Sequence, residues 1–248
     1  MKYELKPWLP VLILIVLLVL FSLFFQDIKF KIYDLLGISD AWETRYSLAK
    51  LIGQHIVIVF YSGAISIVIG VILGALSLSE RFKEIRILIE KAVYLFQMIP
   101  SLALLTILVP IFGMGQKTAV VALVVCGVLP VYMGVVAGVN GVPSDVIEVA
   151  EGLGMPKLRI YRQIVLPLAM PVILAGFRTS LIINVSAATL AAKIGAGGLG
   201  ILLLNALKTG KTMTIIEGTI PICLLAIIFD ICLKNIENIF YVERKSSN

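Results

Sequence analysis

Charge is scarce in this sequence: Asp, Glu, Lys and Arg make up 15% of the 248 residues, against 60% hydrophobic ones. Together with a mean hydropathy of +1.05, this excludes a water-soluble globular domain, which could not hide so much apolar surface. Histidine occurs once, at His55, and cysteine three times, at Cys126, Cys223 and Cys232, none at metal-ligand spacing. No metal site is therefore expected, and the cysteines read as packing residues in apolar runs. No G-x-x-x-x-G-K-[ST] occurs, so the chain is not expected to hydrolyse ATP itself. HExxH, GxSxG and paired-carboxylate arrangements are missing too, which argues against an enzyme. The one match to G-x-G-x-x-G, GAGGLG at 195–200, follows an apolar helical run rather than a strand. It reads as a tight break between helices, not a nucleotide site.

What the sequence has in abundance is apolar runs of membrane-crossing length. Spans are expected at about 8–25, 53–78, 92–112, 118–139, 168–190 and 213–233. In hydrocarbon each must satisfy its own backbone, and uninterrupted runs of this length fit helices rather than barrel strands. The run WLPVLILIVLLVLFSLFF has no small-residue cleavage site after it and is expected to be retained as a span. The fold class is thus an all-α integral membrane protein with about six transmembrane helices. The domain reading is an N-terminal helix and outer loop (1–52), a transmembrane core (53–235) and a cytoplasmic tail (236–248).

The net charge of +6 bears on orientation rather than on nucleic acid. With the N-terminus inside, twelve Lys and Arg fall on the cytoplasmic side and eight outside. Both termini and segment 140–167 are then cytoplasmic. Segment 26–52 reads as a polar outer loop, and His55 as a satisfied histidine near the outer interface.

Within the spans, Ser62, Ser66, Gly70 and Gly74 recur four apart and make one small face for close helix approach. Met98, Pro100 and Ser101 mark a proline kink in the third span; with Arg178 in the fifth they are candidate pathway or gate residues. The kink and the arginine also fit purely structural roles. Tyr94, Phe96 and Tyr132 could offer aromatic faces to a cation or serve packing alone.

Between the fourth and fifth runs lies the polar stretch EVAEGLGMPKLRIYRQIVLP (148–167). Asp145 and Glu148 have capping-box spacing, so a helix should begin near Asp145. Val146, Val149, Ala150 and Leu153 form an apolar stripe, Gly154 suits the helix end, and Pro156 stops it. A short amphipathic helix at the cytoplasmic face results. Its stripe must rest on lipid, on the bundle, or in a groove of a partner.

This stretch resembles the signature of ABC importer permeases, E-A-A, three residues, G, nine residues, I-x-L-P. Here Glu148-Val149-Ala150, Gly154, Ile164, Leu166 and Pro167 stand in that register, with Val149 in place of an alanine. The resemblance implies a type I ABC importer permease fold in a bacterial inner membrane. It implies that Glu148, Val149, Ala150, Leu153, Gly154, Met155, Ile164, Leu166 and Pro167 couple to a separate ATPase. It further implies a second permease copy or related permease, an extracytoplasmic binding protein on another chain, and ATP and Mg held by the ATPase, with no cofactor on this chain. Stretches 99–115, 166–180 and 188–200 are similar to the osmoprotectant branch, which takes up glycine betaine, choline, carnitine and other quaternary amines. KIGAGGLG-like segments also occur in permeases for methionine and other solutes. The alternatives are accordingly a permease for methionine or another amino acid, or an ATPase-independent secondary transporter or channel.

Overall fold

The structure, a computed structural model, describes residues 6–35 and 47–246, and these are helical throughout apart from short turns. In chain order the helices are α1 Leu9–Leu35, α2 Leu48–Leu78, α3 Lys83–Met98, α4 Ser101–Phe112, α5 Gln116–Asn140, α6 Ser144–Gly152, α7 Lys157–Ile160, α8 Leu166–Ala188, α9 Gly200–Thr209 and α10 Thr212–Ser246. A π turn at Tyr161–Val165 joins α7 to α8. Among the described residues, four continuous helical stretches are long and apolar enough to cross a membrane: α2, α5, the α7–α8 rod and α10. The α3–α4 pair makes a fifth crossing, and α1 supplies the shorter apolar stretch Leu9–Phe25. Up to five crossings are thus found among the described residues, and the first of the six expected spans falls on this shorter stretch of α1. The helix of α1 runs on to Leu35, however, so the first part of the expected outer loop is helical. Residues 36–46 of that loop lie outside the described residues.

The core is built on small residues, as the spacing on α2 predicts. Ser62, Ser66, Gly70 and Gly74 are all buried. Ser66 Oγ donates to Val124 O (3.1 Å), while Cβ atoms built on Gly70 and Gly74 would fall 2.5 and 2.7 Å from Val131 and Val135. Partner numbers rise together, so α2 and α5 run parallel. An odd number of crossings must lie between two parallel spans, which requires the α3–α4 pair to carry the chain across once. Along α8 the order reverses: Gly127 meets Ser180, Gly134 meets Gly176, and Gly138 meets Ala169 and Ile173. α5 and α8 are therefore antiparallel and packed nearly backbone to backbone. α10 returns alongside α8, and Asn235 Nδ2 donates to Pro7 O (2.6 Å), which ties its far end to the start of α1. The start of α1, the end of α2, the end of α5, α6 and the later part of α10 thus share one face of the bundle.

His55, expected near the outer interface, lies inside the bundle. It is fully buried and its Nε2 donates to Val185 O at 3.1 Å, joining α2 to α8. Beside it, Gly195, Gly197 and Gly198 all have positive φ, a conformation that L side chains rarely adopt. The Gly198 N–H donates to Gln54 Oε1 (3.1 Å), and a Cβ on Gly197 would come 2.6 Å from that same oxygen. The glycine-rich stretch is thus a tight turn pressed onto α2.

Candidate functional site

Two places carry the candidate residues: the α6 face and a break at mid-height of the bundle. On the α6 face, Pro143 precedes the helix with φ −59° and ψ 134°, and the helix starts at Ser144 with no side-chain cap bond. The capping box expected at Asp145 and Glu148 therefore does not form, because the helix is capped at Pro143, two residues before Asp145. Asp145 instead lies in the first turn, where its charge opposes the helix dipole. At the other end the Met155 N–H donates to Ala150 O (3.1 Å) and the Gly154 N–H to Glu151 O (2.9 Å). This is a Schellman closure with Gly154 at φ +75°.

The apolar stripe divides rather than facing one way. Ala150 is buried, and Ile147 and Met155 pack beside it in a cluster with Val135, Val142, Ile160, Val165 and Ala169. Val149 and Leu153 point out, 64% and 78% exposed, alongside Glu148. The helix is held by one edge and offers the other. Ile164 and Leu166 join the inner cluster, and Pro167 is exposed. The basic stretch 157–163 forms the first turns of the rod that continues into α8. Leu166 N–H reaches Tyr161 O, five residues back. That wider turn makes room for Pro167, which has no N–H and crowds the carbonyl of a regular turn. Arg159, Arg162 and Gln163 line an open groove of about 650 Å³ next to α6.

At the second place, α3 and α4 meet at 98°, far more than a proline kink. α3 climbs along α5, where Val93 packs with Val128 and Tyr132, and ends as α4 begins beside Leu123 and Ala122. The break therefore falls near the middle of α5. Pro100 and Ser101 line a cavity of about 430 Å³ there with Gln97, Cys126, Ile182 and Ser186. A broken helix that lines a cavity at this depth is a common form for a solute path. Met98 is outside this cavity, 75% exposed. Tyr132 is buried with its hydroxyl on Ser77 Oγ (3.2 Å), and Tyr94 O–H points to Met133 Sδ (3.0 Å). Neither aromatic lines the cavity.

Arg178 is also elsewhere. Its Nε lies 3.4 Å from Asp230 Oδ1 and its Nη1 3.6 Å from Glu237 Oε2, both on α10. The two carboxylates are seven residues apart on one side of that helix, and the guanidinium spans them. Sequence reading found the arginine and missed its partners, which stand at the polar end of the last apolar run. Arg178→Leu leaves two carboxylates without their shared cation and should lower stability by about 1 kcal/mol. Replacing all three with apolar residues should recover most of that loss. Thermal melting of the detergent-extracted chain measures both. Among the described residues, no three of His, Cys, Asp and Glu converge as a metal site would require.

Residues 66–240 match the family described as binding-protein-dependent transport system inner membrane component. The chain is 35% identical over 195 residues to the osmoprotectant import permease protein OsmW of Salmonella typhimurium, covering 77% of this chain and 90% of that one. It is 37% identical over 178 residues to the glycine betaine/carnitine/choline transport system permease protein OpuCB of Bacillus subtilis, covering 72% and 81%. Among solved structures, the inward-facing MetNI methionine ABC transporter matches with a TM-score of 0.68 at 22% identity, over 78% of this chain and 95% of that chain. An amino acid ABC transporter with histidines matches with a TM-score of 0.62 at 19% identity, over 78% and 92%.

Proposed function

Since the chain belongs to the binding-protein-dependent transport system inner membrane components, a family of multi-pass membrane proteins, we propose that it forms the solute path of an ABC importer for quaternary ammonium osmoprotectants. ATP hydrolysis, with its Mg, takes place on a separate ATPase chain, and this chain carries no cofactor. A binding protein delivers the solute on the outer side, and a second permease completes the path. The α6 face is cytoplasmic, in keeping with the excess of Lys and Arg that lies on its side, and both termini are on that side.

The observation that carries this reading is the divided α6 helix. Ala150 fixes it to the bundle while Val149 and Leu153 are left outside, in the register of the E-V-A…G…I-x-L-P stretch. Exposed apolar residues on a short anchored helix suit the groove of a partner. Leu158 and Tyr161, 70% and 41% exposed, extend the same surface toward the basic groove. Closure of the ATPases then pushes on α6 and, through the rod, on α8. The solute class follows the names of the two relatives above. The cavity at the break is lined by aliphatic and small polar side chains and offers no aromatic face to a trimethylammonium group. On this reading the tight capture chemistry lies on the binding protein, and the path holds the solute weakly.

The test is reconstitution with candidate ATPase and binding-protein chains, comparing labelled glycine betaine, carnitine and methionine. ATP-dependent uptake of the first two is expected. Saturable uptake of methionine alone would move the chain to the amino-acid class. Uptake that needs no ATPase would identify a secondary transporter or channel.

A further inference from the structure

The centre of the α2–α5–α8 contact is polar. His55, Ser62 and Ser66 on α2 and Ser180 and Asn184 on α8 line it, each with no solvent exposure. On α2, Ser62 is satisfied by Val59 O (3.2 Å) and Ser66 by Ser62 O (2.7 Å) and Val124 O, while His55 is held through Nε2 on Val185 O with Nδ1 left without a partner. The two on α8 are unsatisfied. Ser180 Oγ and both amide atoms of Asn184 have no hydrogen-bond partner. A buried carboxamide without partners is among the costlier features a core can carry, and an apolar residue of similar volume would avoid that cost.

Geometry places acceptors close at hand. The hydroxyls of Ser66 and Ser180 lie 2.5 and 2.7 Å from the point where a Cβ on Gly127 would stand. They therefore face one another across that glycine. Asn184 is one turn further along the same side of α8. The rest of the α5–α8 contact is Gly134 on Gly176 and Gly138 on Ala169. Such a surface has no deep ridges to unlock, so α8 can shift along it at little cost.

We propose that Ser180 and Asn184 form a polar switch. They are unpaired in the present arrangement of the bundle and become hydrogen-bonded to α2 and α5, with Ser66 Oγ among the acceptors, when α8 shifts. The inference rests on the reading above that motion of α6 is passed to α8. Two arrangements that differ in the pairing of the same buried groups make a bistable element, and the unpaired amide biases it toward the shifted one.

Two variants test this. Asn184→Leu and Ser180→Ala remove the unpaired groups and should raise the melting midpoint of the purified full chain in detergent. In the reconstituted importer, Asn184→Leu should cut ATP-dependent uptake by at least about tenfold and Ser180→Ala by a smaller factor. Ser180→Ala removes one oxygen and creates no steric demand, so it reports even where leucine fails to fit. A lowered midpoint for Ser180→Ala means that its hydroxyl is already paired, and overturns the proposal. So does a raised midpoint with uptake at the wild-type level. Absence of ATP-dependent uptake by the wild-type complex would defeat the functional reading. It is separate from the melting shifts, which test the unpaired state directly.

Discussion

Gly154→Glu is expected to abolish ATP-dependent uptake and co-purification of the ATPase while the chain still inserts into the membrane. Gly154 is at φ +75°, and no atom lies within 4 Å of the position a Cβ would take. The effect is therefore one of backbone, not of crowding. A non-glycine residue in this conformation costs roughly 1–2 kcal/mol, which is concentrated on the turn that ends α6. The Met155 N–H to Ala150 O bond closes that turn and seats Met155 in the inner cluster. When the turn opens, Leu153 no longer projects at a fixed angle, and glutamate adds a charge beside it on the surface offered to the partner. A graded series separates the two contributions. Asn tolerates the left-handed region and should lose least; Ala should lose more from strain alone; Glu should lose nearly everything. Uptake by proteoliposomes and pull-down of the ATPase give the order. Transport by the Glu variant at the wild-type level, with the ATPase still bound, would remove α6 as the point of attachment.

The second large effect concerns stability. Gly176→Val should prevent the bundle from assembling. A Cβ at this position would lie 2.6 Å from Pro130 O and 3.1 Å from Gly134 Cα. Both are backbone atoms of α5, and neither can rotate aside as a side chain does. The helices must part along their whole contact, which also withdraws Gly138 from Ala169 and Gly127 from Ser180. Overpacking a dense core costs about 1–3 kcal/mol even where side chains can yield, so the upper end or beyond is expected. The expected result is loss of the monodisperse extracted chain, or a sharply lowered melting midpoint. Gly53→Ala is the matched control, since nothing lies within 4 Å of its Cβ position and its helical backbone accepts alanine. It should be neutral or stabilising by up to about 1 kcal/mol. If the valine variant extracts and melts like the wild type, the backbone-to-backbone contact of α5 and α8 is wrong.

The features legible in the sequence are those set by local spacing. Four small residues at intervals of four on α2 turn toward α5, because a helix repeats nearly every four residues and only small faces admit a close neighbour. The α6 stretch was legible for the same reason: proline, glycine and apolar positions at fixed offsets define its ends. Features set by distant contacts were not. Pro100 signals a break, but the angle and depth of that break depend on how α3 and α4 each pack on α5. Arg178 signals a buried charge, but Asp230 and Glu237 become its partners only when α10 folds back along α8. Apolar spacing on α6 does not say which edge faces the bundle, since the division is decided by where Val135, Val142 and Ala169 stand. The capping box failed through a neighbour, Pro143, that sets the start by its own geometry. Asn184 looks like one more polar residue in an apolar run, and its unpaired state belongs to the fold alone.

The rod that begins at Lys157 and continues through Ala188 has 32 residues, with the π turn and Pro171 as its softer points. At 1.5 Å per residue it is about 48 Å long, so a tilt of roughly 10° about its lower end sweeps the upper end through about 8 Å. On the proposed coupling, a modest nudge beneath the bilayer would displace a whole solute's width of wall near its far surface. Stiffness of this one member therefore sets the stroke, and a glycine inserted at Tyr161–Val165 would act as a slipping clutch.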